Sequence, residues 1–345
     1  MKISVIIPVY KVEPYIRRCL ESVVMQKCEG FQIECIVVDD CSPDNSMNIA
    51  ETVIGENTNQ QVEFVILHHD RNRGPCEARN TGIKAATGDY LFFIDSDDCI
   101  MENTFKDFMC YVAAYPDVDV FMGSSLCVGV NMLTNDKIIS RSSGAVLLDD
   151  KRQLWELFLR RQLDHHVWNK LIKRKADSQY LLFEPEIIYE DIPWTYHLLS
   201  NVSSILVFPE QTYIYELNPA SIIHTIERMS AHVIRSFAFI CSSIYYHPPV
   251  VDGKEMNFVA HRLFLLHWMF FALDVKHKYG IDKETNATLE DVKWQMLWSS
   301  LKHGHLLLSL FMLLMFSPFD RLLKFRVIRS NVDRINKLVY KLSWW

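Results

Sequence analysis

Three carboxylates fall within four residues at Asp95-Ser96-Asp97-Asp98, directly after the apolar run Tyr90 to Ile94. Like charges this close repel one another unless a cation is held between them. Hard oxygen donors in this number suit Mg²⁺ or Mn²⁺ better than zinc, and such ions commonly bridge protein carboxylates to phosphate oxygens. The chemistry indicated is a metal–diphosphate site. A second acidic pair, Asp39-Asp40, ends another apolar run, and the segment His68 to Arg73 follows a third. Glu190-Asp191 stands just ahead of a stretch read as helix, Trp194 to Leu199.

The elements around these residues must bring them together. Ile3 to Ile7 reads as a strand stopped by Pro8, and Pro14 to Gln26 keeps apolar residues at helical spacing. Ile33 to Val38, Val62 to Leu67 and Tyr90 to Ile94 read as further strands. Ser42-Pro43 predicts an N-cap with proline at the first helical position. Pro75 opens another helix, which Gly88 is expected to close. Near-continuous apolar strands alternating with helices indicate an α/β fold with a parallel sheet covered on both faces. Ligands of such sheets bind beyond the carboxyl ends of the strands. Tyr10, Asp39-Asp40, the segment 68–73 and Asp95 to Asp98 all follow strand ends, so four regions converge on one rim. Further on, the pattern predicts a strand over Val118 to Met122, a helix from Lys151 to Gln162, and strands over Ile205 to Phe208 and Tyr213 to Tyr215. After about residue 228 it is mostly helical, with Thr288 and Asp291 resembling a capping pair.

Composition narrows the function classes. Of 345 residues, 49% are hydrophobic and 23% charged, which excludes general disorder. The net charge of −6 argues against a nucleic-acid partner. Nine cysteines, an odd number with no C-x-x-C pair, read as buried free thiols in a reducing compartment. Met1-Lys2 leads straight into a strand without the pattern of a signal peptide, so the catalytic part is expected in the cytoplasm. No G-x-G-x-x-G follows a strand, which disfavours a nicotinamide enzyme. A nucleotidyltransferase is disfavoured because there is no glycine-rich phosphate loop, and a sugar-nucleotide- or glycan-binding scaffold is the non-enzymatic alternative.

Val5-Ile6-Ile7-Pro8-Val9-Tyr10, Ile36-Val37-Val38-Asp39-Asp40-Cys41-Ser42, Asn72-Arg73-Gly74, Ala78-Arg79-Asn80-Thr81-Gly82 and Ile94-Asp95-Ser96-Asp97-Asp98 occur in that order. Together they resemble the family 2 inverting glycosyltransferases of the GT-A fold, strongly over residues 1–100 and fairly to about 225. The resemblance implies a Rossmann-like nucleotide-diphospho-sugar transferase domain over 1–225; beyond it, where the resemblance fades, the pattern reads as a helical region over 226–304 and an apolar and basic tail over 305–345. It implies a nucleotide-diphosphate sugar donor, usually UDP-linked, a divalent Mn²⁺ or Mg²⁺, and a glycan or lipid-linked acceptor in cell-surface polysaccharide synthesis. By position in the motifs, Tyr10 flanks the base with Pro8 beside it, Asp40 accepts a hydrogen bond from the base, and Asp39, Arg79 and Ser96 lie near the nucleotide. Asp95 and Asp97 form the metal motif, with Asp98 as an alternative direct ligand. Glu190-Asp191 resembles the family's later acidic pair, whose aspartate is the general base. Trp168-Asn169-Lys170 resembles a segment with acceptor- or phosphate-side roles. Ser221 to His224 resembles one that can bring a histidine to the metal or diphosphate. Glu216 departs from the pattern, standing where many relatives carry a basic residue. The paired histidines 68–69 and 165–166 lack partners at metal spacing and read as structural.

Leu306 to Phe316 is almost wholly apolar but too short for a bilayer span, which needs about 20 residues. Seven Lys and Arg from Arg321 to Lys341, interleaved with apolar residues and followed by Trp344-Trp345, suit an interfacial helix on an anionic membrane. The expectation is a cytoplasmic enzyme peripheral on the inner face of the cell membrane. The competing reading is a helical hairpin packed on the catalytic domain or on a second subunit of a homo-oligomer.

Overall fold

A computed structural model describes residues 1–128, 144–177, 179–218, 230–256, 261, 265, 269, 272, 276 and 283–302. Two compact units divide the chain, Met1–Ser221 and Ile222–Trp345. In the first, the apolar runs form β1 (Lys2–Val9), β2 (Gln32–Asp39), β3 (Val62–His68) and β4 (Tyr90–Phe93), joined by α1 (Ile16–Val24), α2 (Ser46–Gly55) and α3 (Pro75–Ala85). Their order β3-β2-β1-β4 is parallel throughout. The middles of β1, β2 and β4 are buried on both faces and mostly apolar, while β3 at the edge is only partly buried. Besides Ser4, the buried polar residue of these strands is Glu34. Its buried carboxylate accepts from Ser4, Thr87 and Gly88 and pairs with Lys2, tying the amino ends of β1 and β2 to the entry of β4.

Beyond β4 the sheet becomes mixed. β8 (Lys170–Lys173) pairs antiparallel with β4 and with β6 (Val120–Val128), and β9 (Ile205–Glu216) runs parallel to β6. β5 (Cys99–Ile100) and β7 (Val146–Leu148) each pair antiparallel with β9. α4 (Thr104–Ala114) covers this half through Phe105 and Phe108, which meet Phe92 edge-on at 5.1 and 5.5 Å between ring centroids. α5 (Lys151–Leu159) and α6 (Asp191–Asn201) complete the unit.

In the second unit, α7 (Ser230–Tyr246) and α8 (Lys283–Lys302) accompany a short hairpin of β10 (Val250–Val251) and β11 (Lys254–Glu255). Among the described residues, no helix is long and apolar enough to cross a membrane. The polar stretch 131–143, Ser221 to His224 and the tail 305–345 lie outside the described residues.

Several boundaries differ from the expectations. α2 starts at Ser46 rather than Pro43, because the Asp44 carboxylate accepts from the Ser42 and Ser46 hydroxyls and folds the intervening residues into a turn. Gly88 does not close α3, which ends at Ala85 with Ala86 already extended. A Cβ on Gly88 would lie 2.7 Å from the Ser4 backbone nitrogen, so this glycine is required by close approach to β1. Thr288 lies inside α8 and donates back to the Glu284 carbonyl at 3.2 Å, so it caps nothing.

Candidate active site

The carboxyl ends of β1, β2 and β3 stand in register, with Val9 opposite Asp39 and Asp39 opposite His68. Tyr10 follows β1 and is 37% exposed, with the Lys11 ammonium 5.1 Å from its ring centroid. Pro8 is part-buried in the last turn of the strand. The two aspartates after β2 face different ways. Asp39 lies at the rim, its Oδ1 accepting from the Ser42 amide at 2.8 Å and its Oδ2 3.0 Å from His68 Nδ1. Asp40 is 2% exposed and accepts from the Arg73 and Gly74 amides, each at 2.8 Å, and contacts His69 Nδ1 at 2.7 Å. Through these contacts Asp40 holds the 73–74 turn from which α3 begins. Cys41 takes a left-handed conformation (φ 58°) and projects into solvent.

The four residues after β4 also divide. Asp95 Oδ1 accepts from Arg79 at 2.8 Å, and Asp97 Oδ2 accepts from Asn218 at 2.9 Å. Asp98 is fully buried, with Oδ2 accepting from the Tyr213 hydroxyl at 2.8 Å and Oδ1 from the Glu216 amide at 2.9 Å. Ser96 is buried between them. Burial, and then the neighbouring carboxylates, raise the Asp97 and Asp98 carboxyls above the usual range. Asp95 and Asp97 lie at the surface of this cluster, and repulsion of this kind is what a divalent cation relieves. The donor set therefore fits Mn²⁺ or Mg²⁺, with Asp98 anchoring the loop to β9 from behind. Glu216 pairs through its carboxylate with Arg18, which also donates to the Asp97 carbonyl at 3.3 Å.

Arg79 links this loop to the second acidic pair. It is 6% exposed and stands on α3, donating to Asp95 from one nitrogen and to Glu190 Oε1 from the other at 2.6 Å. Its Nε has no hydrogen-bond partner among the described residues. The two carboxylates hold it charged against a large desolvation cost. Glu190 precedes α6, whose first residue is Asp191. The helix is fixed by Trp194, which donates to the Leu181 carbonyl at 2.8 Å and stacks on Phe183. Asp191 Oδ1 is buried without a hydrogen bond among the described residues, while Oδ2 lies 3.5 Å from His165 Nε2. Burial, reinforced by Glu190, pushes this carboxyl up to about 7.

The segment behind Asp191 carries the pair His165-His166, which the sequence led us to read as structural. His166 contacts Asp164 Oδ1 at 2.6 Å, and its ring stacks between those of His165 and Trp168. Trp168, expected on the acceptor side, is buried and continues this stack onto Tyr213 at 4.5 Å. Lys170 is equally buried, donating to the His166 carbonyl and standing 3.9 Å from Asp164 Oδ2. The side chains of Trp168 and Lys170 thus sit beneath the site. His165, His166 and Asp191 offer ligand atoms within 4.8 Å of one another. The two imidazoles, however, stack with planes 18° apart, so their in-plane lone pairs run side by side rather than converging on one ion. The composition of the run Asp164-His165-His166, set between Leu163 and Val167, was the available signal; its partner lies about 25 residues away. His224, expected near the metal, lies outside the described residues.

The fold has known counterparts. TarS of Staphylococcus aureus, solved with UDP-GlcNAc, superposes with a TM-score of 0.65 over 86% of this chain and 81% of that one, at 19% identity. A mannosyltransferase from Pyrobaculum calidifontis, PcManGT, solved with GDP-Man and Mn²⁺, gives 0.51 over 90% and 83% at 14% identity. By sequence, the uncharacterized glycosyltransferase EpsJ of Bacillus subtilis is 31% identical over 64% of this chain and 62% of its own length. TarS, named a poly(ribitol-phosphate) beta-N-acetylglucosaminyltransferase, is 35% identical over 32% of this chain and 19% of its own. The chain thus spans less than two thirds of these curated relatives. The family model described as glycosyl transferase family 2 matches residues 4–180, about half the chain and the part carrying every strand-end motif described above. This chain belongs to glycosyl transferase family 2.

Proposed function

We propose that the protein transfers a sugar, with inversion, from a nucleotide-diphosphate donor to a hydroxyl of a glycan or lipid-linked acceptor in cell-surface polysaccharide synthesis. The observation that carries this reading is Arg79, which spans Asp95 and Glu190 and so fixes the acidic loop after β4 beside Asp191. UDP is the preferred nucleotide and N-acetylglucosamine the first sugar to try. The support is the fold shared with TarS, solved with UDP-GlcNAc, and the family membership.

In this reading Tyr10, Pro8 and Asp39 border the base, and Asp40 shapes that pocket from behind. Asp95 and Asp97 would hold the Mn²⁺ or Mg²⁺, which when bound neutralises charge on the departing diphosphate oxygens. The acceptor oxygen attacks the anomeric carbon on the face opposite the diphosphate. The new C–O bond forms as the bond to phosphate breaks, and that electron pair leaves with the nucleoside diphosphate. The hydroxyl proton passes to the Asp191 carboxylate. Asp191 is free for this role because Glu190, not Asp191, is bound to Arg79. Residues 1–225 would form the transferase domain and the tail would hold it at an anionic membrane.

The test is a thermal-shift panel of UDP, GDP and their sugars with and without Mn²⁺. A rise in the melting midpoint that requires both UDP and Mn²⁺ is expected. No shift with any nucleotide would overturn the catalytic reading in favour of a scaffold.

A further inference from the structure

We infer that Asp164, His165 and His166 form a positioning device for Asp191, in which His165 orients one carboxylate oxygen and the Asp164-held His166 supplies a fixed positive charge. This rests on the reading of Asp191 as the base. The geometry has three parts. The segment is tied to the base's own helix, since Thr195 on α6 donates to the His165 carbonyl at 2.8 Å. His165 Nε2 then lies 3.5 Å from Asp191 Oδ2, a separation that a bound acceptor can tighten. His166 is gripped by the buried Asp164 and clamped by the ring stack onto Trp168, so its charge cannot swing away. A base oriented by a second group, itself held by a third, is the arrangement that keeps a proton acceptor in one geometry through the reaction.

The charged groups facing Asp191 come from every neighbouring element. Glu190 adjoins it, and Asp164 adds a second negative charge. Arg79 from α3 and His166 act in the opposite direction. Lys170 of β8 and the Tyr189 phenol also face it. Arg79 is already committed to Asp95 and Glu190. Lys170 is engaged by the His166 carbonyl and Asp164, and His166 favours the ionised base more strongly than Arg79 does. Asp164 in turn raises the His166 imidazole, while burial pushes His165 down to about 3 and keeps it neutral. One neutral and one charged imidazole suit the two separate tasks.

The test is histidine titration by NMR on protein labelled at the imidazole carbons, which needs neither donor nor acceptor. In the wild type His166 should titrate above about 6.5, and Asp191→Asn should lower it by about half a unit or more, because it loses a negative neighbour. An unchanged His166 titration in Asp191→Asn overturns the proposal. A kinetic arm follows UDP released from UDP-GlcNAc with Mn²⁺. In His166→Gln the ratio of kcat at pH 6.5 to kcat at pH 9 should fall about tenfold, the effect of moving the rising limb up one unit. His166→Lys, which keeps the charge, should restore the limb. Full turnover by Asp191→Asn would sink the base assignment itself, whereas an inactive Asp191→Asn with an unmoved limb in His166→Gln sinks only the positioning role.

Discussion

Asp97 and Asp98 are adjacent and chemically identical, yet the fold gives them different work. Asp97 stays at the cluster surface with Asn218, while Asp98 is spent on Tyr213 and the Glu216 amide. Asp97→Asn should therefore weaken Mn²⁺-dependent UDP binding by about tenfold, the loss of one charge-assisted ligand, with little change in melting midpoint. Asp98→Asn should do the reverse, lowering the midpoint. Calorimetric titration of UDP with and without Mn²⁺, alongside thermal melts, separates the two, and equal loss of binding in both would refute the division. The acidic pairs and Arg79 were legible in the sequence because they sit in contiguous motifs. The inward turn of Asp40, the Asn218 contact and the histidines behind Asp191 were not. Each depends on which way a side chain faces or on partners about 25 to 120 residues apart, and the local run Asp164-His165-His166 does not by itself name its partner.

At the level of elements, α3 carries Arg79 and must lie close against β1. Gly82 permits this, since a Cβ there would come within 2.4 Å of the Ile6 side chain. Gly82→Ala should cost about 1–3 kcal/mol, by overpacking a buried contact between helix and sheet. Urea denaturation measures it, and an unchanged midpoint would mean that Ile6 can rotate aside. The parallel half of the sheet was readable from periodicity because its inner strands are buried on both faces. The mixed half was harder. Pro209 splits 205–216 into two apparent strands, yet β9 runs through as one. The register with β6 jumps from Val207 opposite Met122 to Gln211 opposite Ser124, so Pro209 falls in the irregular stretch where no ladder bond is required of it.

At the scale of the whole molecule, the net charge of −6 conceals an uneven distribution, because the last 41 residues carry a cluster of Lys and Arg. If the tail is the membrane contact, deletion of residues 305–345 should move the protein from the pellet to the supernatant in sedimentation with anionic vesicles, leaving UDP binding intact. Co-sedimentation of the truncated protein would refute this. The tail's composition was legible as amphipathic and basic.

All nine cysteines are free, but their accessibility is unequal: Cys41 and Cys110 are exposed, Cys127 is intermediate and the remaining six are buried. Cys41 is held out at the carboxyl-end rim of the sheet, one residue from Asp40. The protein therefore carries a built-in handle for a fluorescent maleimide beside the proposed nucleotide site, with Cys110 on α4 as an internal control. Alkylation rates at these two thiols would report nucleotide occupancy without an acceptor, a radiolabel or turnover, so donor preference can be screened before anything is known of what the sugar is attached to.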